Sequence, residues 1–260
     1  MTKTIASRFA VALALLFSAG CAPDMSESGP AGWPAGYESF TIVWTGEEGV
    51  DLAEGPAVAI SAYIESFFLV ELTGDDKYLY PGFSTAVADE WRPRTNSPTA
   101  DGPWIGTATN HLMSLSRKDS AVSVIGCMYT YGVGSFADNG EYSARGASLG
   151  TPEAGISAFK VSLEADPSSV DSTITQSGPA RTPSDDVFGG YRVTGYWGGY
   201  VSADTMNNRN WPERRQSTDE CVAKAPVPLE RRNYVFDNYL PASDFPTLPA
   251  KPGWPVAPKG

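Results

Sequence analysis

The chain has 260 residues, 30 of them acidic and 19 basic, for a formal charge of −11, with three cysteines and one histidine. That length can bury a real core without obligatory disulfides. The acidic balance argues against sequence-independent nucleic-acid binding, which needs a basic surface to displace counterions. One histidine and three cysteines supply too few ligands for an ordinary zinc site, and neither a metal nor a cofactor is expected.

Residues 1–20 carry Lys3 and Arg8, no acid, and an apolar run from Phe9 to Phe17. This is the three-part pattern of a secretory signal peptide. The run is too short to span a bilayer, which takes about 20 residues. Ser18-Ala19-Gly20 then leads directly into Cys21. That junction resembles the bacterial lipobox, in which the cysteine receives a diacylglyceryl group and becomes the first residue after cleavage. The resemblance implies a lipidation site at Cys21 and an exported protein held at the outer face of the cell membrane by its lipid. Ordinary cleavage beside a coincidental cysteine is the alternative. Loss of residues 1–20 removes two positive charges and leaves 17 basic and 30 acidic residues, a charge of −13. A domain so acidic is not drawn to anionic lipid, so any membrane attachment falls to the acyl chains.

In an exported chain the remaining pair, Cys127 and Cys221, points to a disulfide. Two free buried thiols, or a metal site shared with His111, are the alternatives.

Residues 21–37 are rich in Pro, Gly, Ser and Glu and read as a lipidated tether. Phe40, Ile42 and Trp44 alternate as in a short strand. Pro56 opens a helix over 57–73, with Ile60, Ile64 and Phe68 along one face, and Gly74-Asp75-Asp76 ends it. Prolines 81, 93 and 98 make the next stretch a loop. Strands are expected within 107–116, 121–132, 154–165 and 187–200. In the second of these, Val122, Val124 and Met128 oppose Ile125, Cys127, Tyr129 and Tyr131. In the third, Ile156 and Ala158 oppose Phe159, Val161 and Leu163. In the last, Tyr191, Val193 and Trp197 oppose Arg192, Thr194 and Tyr196. Nine of the last 50 residues are proline. From Trp211 the chain reads as an extended strap stapled by Cys221 and the aromatics of 229–240, fraying beyond about residue 245.

The expected fold is α+β: a long N-terminal helix packed on a curved antiparallel sheet, with a Pro-rich C-terminal strap. Its divisions are a signal peptide (1–20), a lipidated tether (21–37), an α+β domain (38–225) and a Pro-rich extension (226–260). Val50-Asp51-Leu52, the helix, Tyr80-Pro81-Gly82-Phe83, Cys127-Met128-Tyr129 and Val187–Thr194 carry a resemblance over residues 38–225. Together they resemble the NTF2-like, cystatin-related α+β domains of actinobacterial exported lipoproteins. The resemblance implies location and fold rather than activity.

Candidate chemistry is sparse. Gly146-Ala147-Ser148-Leu149-Gly150 matches G-x-S-x-G, the turn that exposes a hydrolase serine. No apolar strand runs into Gly146, and His111 precedes the serine, so a glycine-rich loop is the simpler reading. His111 alone suits a hydrogen-bonded strand histidine as well as a catalytic one. The pairs Asp75-Asp76, Asp185-Asp186 and Asp219-Glu220 lack calcium-loop spacing. Arg214-Arg215 and Arg231-Arg232 are expected to pair with the chain's own carboxylates. Tyr129, Tyr131, Tyr191, Tyr196 and Trp197 could line a ligand surface or simply pack. The leading expectation is a non-enzymatic, lipid-anchored envelope protein that binds a small apolar ligand or an envelope protein partner. A Ser148-based envelope esterase and a purely structural envelope protein are the alternatives.

Overall fold

Alternation in β1 (Phe40–Gly46) turns Phe40, Ile42 and Trp44 into the main core. The computed structural model describes residues 32–95, 102–137, 139–146, 150–166, 175–199 and 211–257. β1 runs parallel to β2 (Trp104–Lys118), from Phe40 opposite Gly106 to Gly46 opposite Leu112. A parallel pair needs a crossover over one sheet face. The helix α1 (Pro56–Thr73) lies in that crossover.

Gly55, at φ 63°, leads into α1, and Pro56 fills its first turn, where a missing N–H costs nothing. Gly74, in the left-handed region, ends it by donating its N–H to the Val70 carbonyl at 2.7 Å. Every residue from Pro56 to Leu72 is buried. The helix therefore has no solvent face: Tyr80, Phe83, Val87, Val187, Phe188 and Trp254 join the core that surrounds it. By length and composition α1 matches a membrane span, yet 94% of it is buried inside the protein.

The other edge of β2 is shared by two strands in succession. β3 (Ala121–Tyr129) pairs with its C-terminal part and β4 (Val133–Phe136) with its start. β6 (Ile156–Ala165) and β7 (Tyr191–Gly198) extend the sheet beyond β3. β5 (Tyr142–Ala144) and β8 (Tyr239–Leu240) extend it beyond β4. The result is an α+β fold with an eight-stranded sheet, antiparallel except at β1–β2, that does not close into a barrel.

The two faces have separate cores. Val122, Val124, Met128, Phe159, Val161 and Leu163 pack with α1, while Cys127, Tyr129, Ile156 and Ala158 pack on the opposite side. These alternations agree with the sequence. In β7 they do not. The ladder shifts register between Ser162 and Leu163, leaving Thr194 as an extra residue. That bulge reverses the phase. Tyr196 joins Tyr191 and Val193 in the α1 core, and Trp197 faces the other way.

The C-terminal quarter also departs from expectation. Residues 214–237 form two helices, α3 (Arg214–Lys224) and α4 (Leu229–Asp237), rather than an extended run. A short helix, α2 (Phe83–Ala86), brings the total to four among the described residues. The prolines fall outside the helix interiors: Pro212 precedes α3, and Pro228 is the N-cap of α4. A proline count therefore misjudges helix content when the prolines sit at boundaries. Nor does the chain fray between residues 245 and 257. Phe245 and Trp254 are buried, and Trp44 donates its backbone N–H to the Lys251 carbonyl at 2.6 Å.

Cys127 of β3 and Cys221 of α3 stand at disulfide distance, with Cα atoms 5.4 Å apart and a separation of 94 positions in sequence. The bond ties α3 to the sheet, where Tyr129 also donates its hydroxyl to the Cys221 carbonyl. In the chain-entropy account, closing a loop of this size contributes about 4–5 kcal/mol. Replacing both cysteines with serine should lower the urea midpoint by a corresponding amount. Denatured, unreduced wild-type protein should take up no alkylating reagent at either position.

Candidate functional site

Glu65 lies in the middle of α1, and it is 3% exposed. Three donors from three distant segments converge on its carboxylate. Trp44 Nε1 from β1 reaches Oε1 at 2.7 Å. The Tyr80 hydroxyl and Trp254 Nε1 both reach Oε2 at 2.9 Å. Tyr80 is itself placed by its backbone N–H, which donates to Ser66 Oγ on the next residue of α1. Among the described residues no lysine or arginine forms an ion pair with Glu65.

Burial without a counter-charge pushes the Glu65 carboxyl up to about 7, and the three hydrogen bonds restrain the rise. The site can hold the proton without breaking its contacts. A protonated Oε2 donates to the Tyr80 oxygen, and the Tyr80 hydroxyl turns to the Arg181 carbonyl, 3.3 Å away. Two charge states thus share one geometry. An acid at the middle of the apolar run AVAISAYIESFFLVELT, whose second acid, Glu71, lies near its end, was the only local sign of this cluster. Nothing near Tyr80 or Trp254 in the sequence announces their convergence.

His111 belongs to a second, exposed cluster. Register in the parallel ladder places Thr45 directly beside it. Its Nδ1 lies 2.9 Å from Thr45 Oγ1 and its Nε2 3.1 Å from Glu47 Oε1. Lys224 of α3 reaches the same carboxylate oxygen at 2.5 Å. Those two contacts hold the Glu47 carboxyl below its usual range. An ionised Glu47 accepts only, so Nε2 carries the hydrogen between them, and in the neutral ring Nδ1 is left to accept from the threonine hydroxyl. The order hydroxyl, imidazole, carboxylate is complete, and Thr45 is exposed.

The aromatics expected to form a ligand surface are not brought together. Tyr129 and Tyr131 are buried on the α3 side, while Tyr191 and Tyr196 are buried on the α1 side. The cause is strand alternation combined with the β7 bulge. Tyr196 packs edge-on against Tyr63 and Phe67, and Tyr191 accepts from Arg117 Nη2 at 2.7 Å. Trp197 is half-buried against Trp91, with the Lys160 ammonium over its ring. Cys21 and Ser148 lie outside the described residues.

Of the basic pairs, Arg215 bridges Glu153 and Asp219, and Arg231 bridges Asp244. Arg232 instead turns inward to the carbonyls of Val227, Pro152 and Ala154. Of the acidic pairs, Asp75 binds Lys77, Asp186 accepts from the Phe188 N–H, and Asp219 binds Arg215. Among the described residues no three His, Cys, Asp or Glu side chains group to hold a metal.

Among the described residues two surface clefts stand out. One, of about 440 Å³, is lined by Glu47, Glu48, Asp51 and Glu54 with Met113 and Leu115. The other, of about 410 Å³, lies between residues 143–146 and Phe236–Tyr239, at the β5–β8 edge. Near it Phe136 is 60% exposed and Tyr239 59%.

Comparison with protein-family models, with curated proteins and with solved structures finds no match to the chain.

Glu65 makes a signed prediction. Its folded value lies above that of an ordinary carboxyl, so the stability it contributes is complete below pH 4.5 and is lost as the pH rises through 7. Glu65→Gln removes this titration and leaves the other carboxylates unchanged. From urea unfolding at pH 4.5 and pH 8, the stability of the variant relative to wild type should rise by about 3 kcal/mol. A difference that does not change with pH would exclude a buried, titrating Glu65.

Proposed function

We propose that the chain is an exported, lipid-anchored protein of the cell envelope that presents its α+β domain outside the membrane as a non-enzymatic binding module. The observation that carries this reading is the Cys127–Cys221 pair at disulfide distance. Persistent disulfides belong to oxidising compartments. A signal-like N-terminus and Cys21 at its end support the same compartment. The resemblance to exported NTF2-like lipoproteins is consistent with it.

Binding is favoured over chemistry by how the side chains are used. The aromatics and Glu65 are engaged in packing and internal hydrogen bonds. The exposed aromatics that remain, Phe136 and Tyr239 with half-exposed Tyr234, suit a protein partner in the envelope.

One observation favours a second reading, an envelope hydrolase: the Thr45–His111–Glu47 order, with Thr45 exposed. In that reading the Thr45 oxygen attacks an acyl carbonyl, His111 Nδ1 takes its proton, and Glu47 steadies the imidazolium.

Mass spectrometry of the membrane fraction tests the first reading. The mature N-terminal peptide should begin at Cys21 and carry acyl chains. An unmodified N-terminus at another residue would overturn it. Hydrolysis of a generic acyl ester that disappears in both Thr45→Ala and His111→Ala would establish the second reading in place of the non-enzymatic one.

A further inference from the structure

The C-terminal segment 246–257 lies in a cleft between the outer edge of β1 and residues 175–181. It is held like a bound peptide, by backbone hydrogen bonds, by the side chains of Thr107 and Thr247 at its start, and by one buried aromatic anchor. Trp44 N–H donates to the Lys251 carbonyl at 2.6 Å, and Gln176 Nε2 to the Pro252 carbonyl at 3.1 Å. Ala180 and Trp254 exchange both backbone hydrogen bonds, at 3.0 and 2.8 Å. The anchor is Trp254, 1% exposed, edge-on against Tyr80 with its indole N–H on Glu65. The residues between, Pro246 to Pro249, are exposed.

The cleft walls are secured without this segment. Gln176 N–H donates to the Ala53 carbonyl, and Arg181 Nη1 to the Glu38 and Phe40 carbonyls. Glu65 keeps Trp44 and Tyr80 as donors whether or not Trp254 is present. The cleft is also selective. A Cβ on Gly253 would stand 2.3 Å from the Gly178 carbonyl oxygen, and a Cβ on Gly178 would stand 2.3 Å from that of Trp254. An occupant must therefore present glycine, then tryptophan, in extended form. Gly253-Trp254-Pro255 does so, and every copy of the chain carries it. The same tripeptide recurs at Gly32-Trp33-Pro34, where Trp33 lies under the Arg181 guanidinium on the same loop.

We propose that this cleft is a recognition site for a Gly-Trp-Pro segment, filled by the chain's own C-terminus in the monomer and by that of a second copy when two chains exchange. The contacts of residues 251–254 with the cleft run only to β1, to residues 176–181 and to the Tyr80–Glu65 pair, so each is reproduced when the segment comes from a second copy.

The test inserts a protease site between the exposed residues Pro246 and Thr247 of the full chain and cleaves it after folding. A fluorescent peptide of residues 247–257 should replace the nicked segment saturably, and the same peptide with Trp254→Ala should not. Intact Trp254→Ala protein should bind the wild-type peptide at least tenfold tighter than intact wild type, and Gly178→Val in that background should abolish binding. Intact wild-type chains carrying donor and acceptor dyes should form mixed pairs on concentration, and Trp254→Ala chains should not. A nicked segment that never exchanges, or whose loss unfolds the domain, would overturn the proposal. Peptide exchange by chains that stay monomeric at every concentration would overturn the second-copy assignment.

Discussion

A carboxylate buried without a cation must have its oxygens satisfied by neutral donors, and in this protein that requirement joins three regions far apart in sequence. Glu65 sits mid-way along a helix with no solvent face, and Trp44, Tyr80 and Trp254 come to it from β1, from the loop after α1 and from the C-terminal segment. Remove the carboxylate and two indole N–H groups are left buried without their acceptor, at about 1–3 kcal/mol each. The cluster therefore explains why the C-terminus docks at all. It also explains how α1, which has the composition of a membrane span, serves as a core helix although it carries an acid at its middle: three donors meet that acid.

The sheet is organised around the same helix. α1 lies in the crossover that allows β1 to run parallel to β2, and the C-terminal segment covers part of β1's other edge. An uncovered strand edge invites pairing with another chain. Here the cover is supplied by residues whose anchor depends on Glu65. On the opposite face the Cys127–Cys221 pair performs a similar service for α3.

Much of the layering was legible in the sequence because strand alternation is a local signal. The two faces of β3 and β6 follow directly from residue spacing. The cysteine pair followed from compartment and parity rather than geometry. What escaped was non-local. The bulge at Thr194 adds one residue and moves Tyr196 to the other face; Gly195 beside it marks a position where a strand can bend, but strand alternation read from the sequence carries no shift of phase. The helices α3 and α4 were hidden by prolines that delimit them. Burial of the chain end depends on a tryptophan whose acceptor is 189 residues away. His111 was visible as a lone histidine, but its pairing with Thr45 and Glu47 required the register of a parallel ladder.

The central claim is that Glu65 titrates in the core while gripping both indoles. Carbon-13 labelling of glutamate side chains, with nitrogen-15 labelling of tryptophan indoles, tests it by NMR. The account predicts one carboxyl resonance with a midpoint of about 7, with the indole N–H signals of Trp44 and Trp254 moving at that same midpoint. A Glu65 midpoint in the ordinary carboxylate range, or indole signals indifferent to it, would contradict the account.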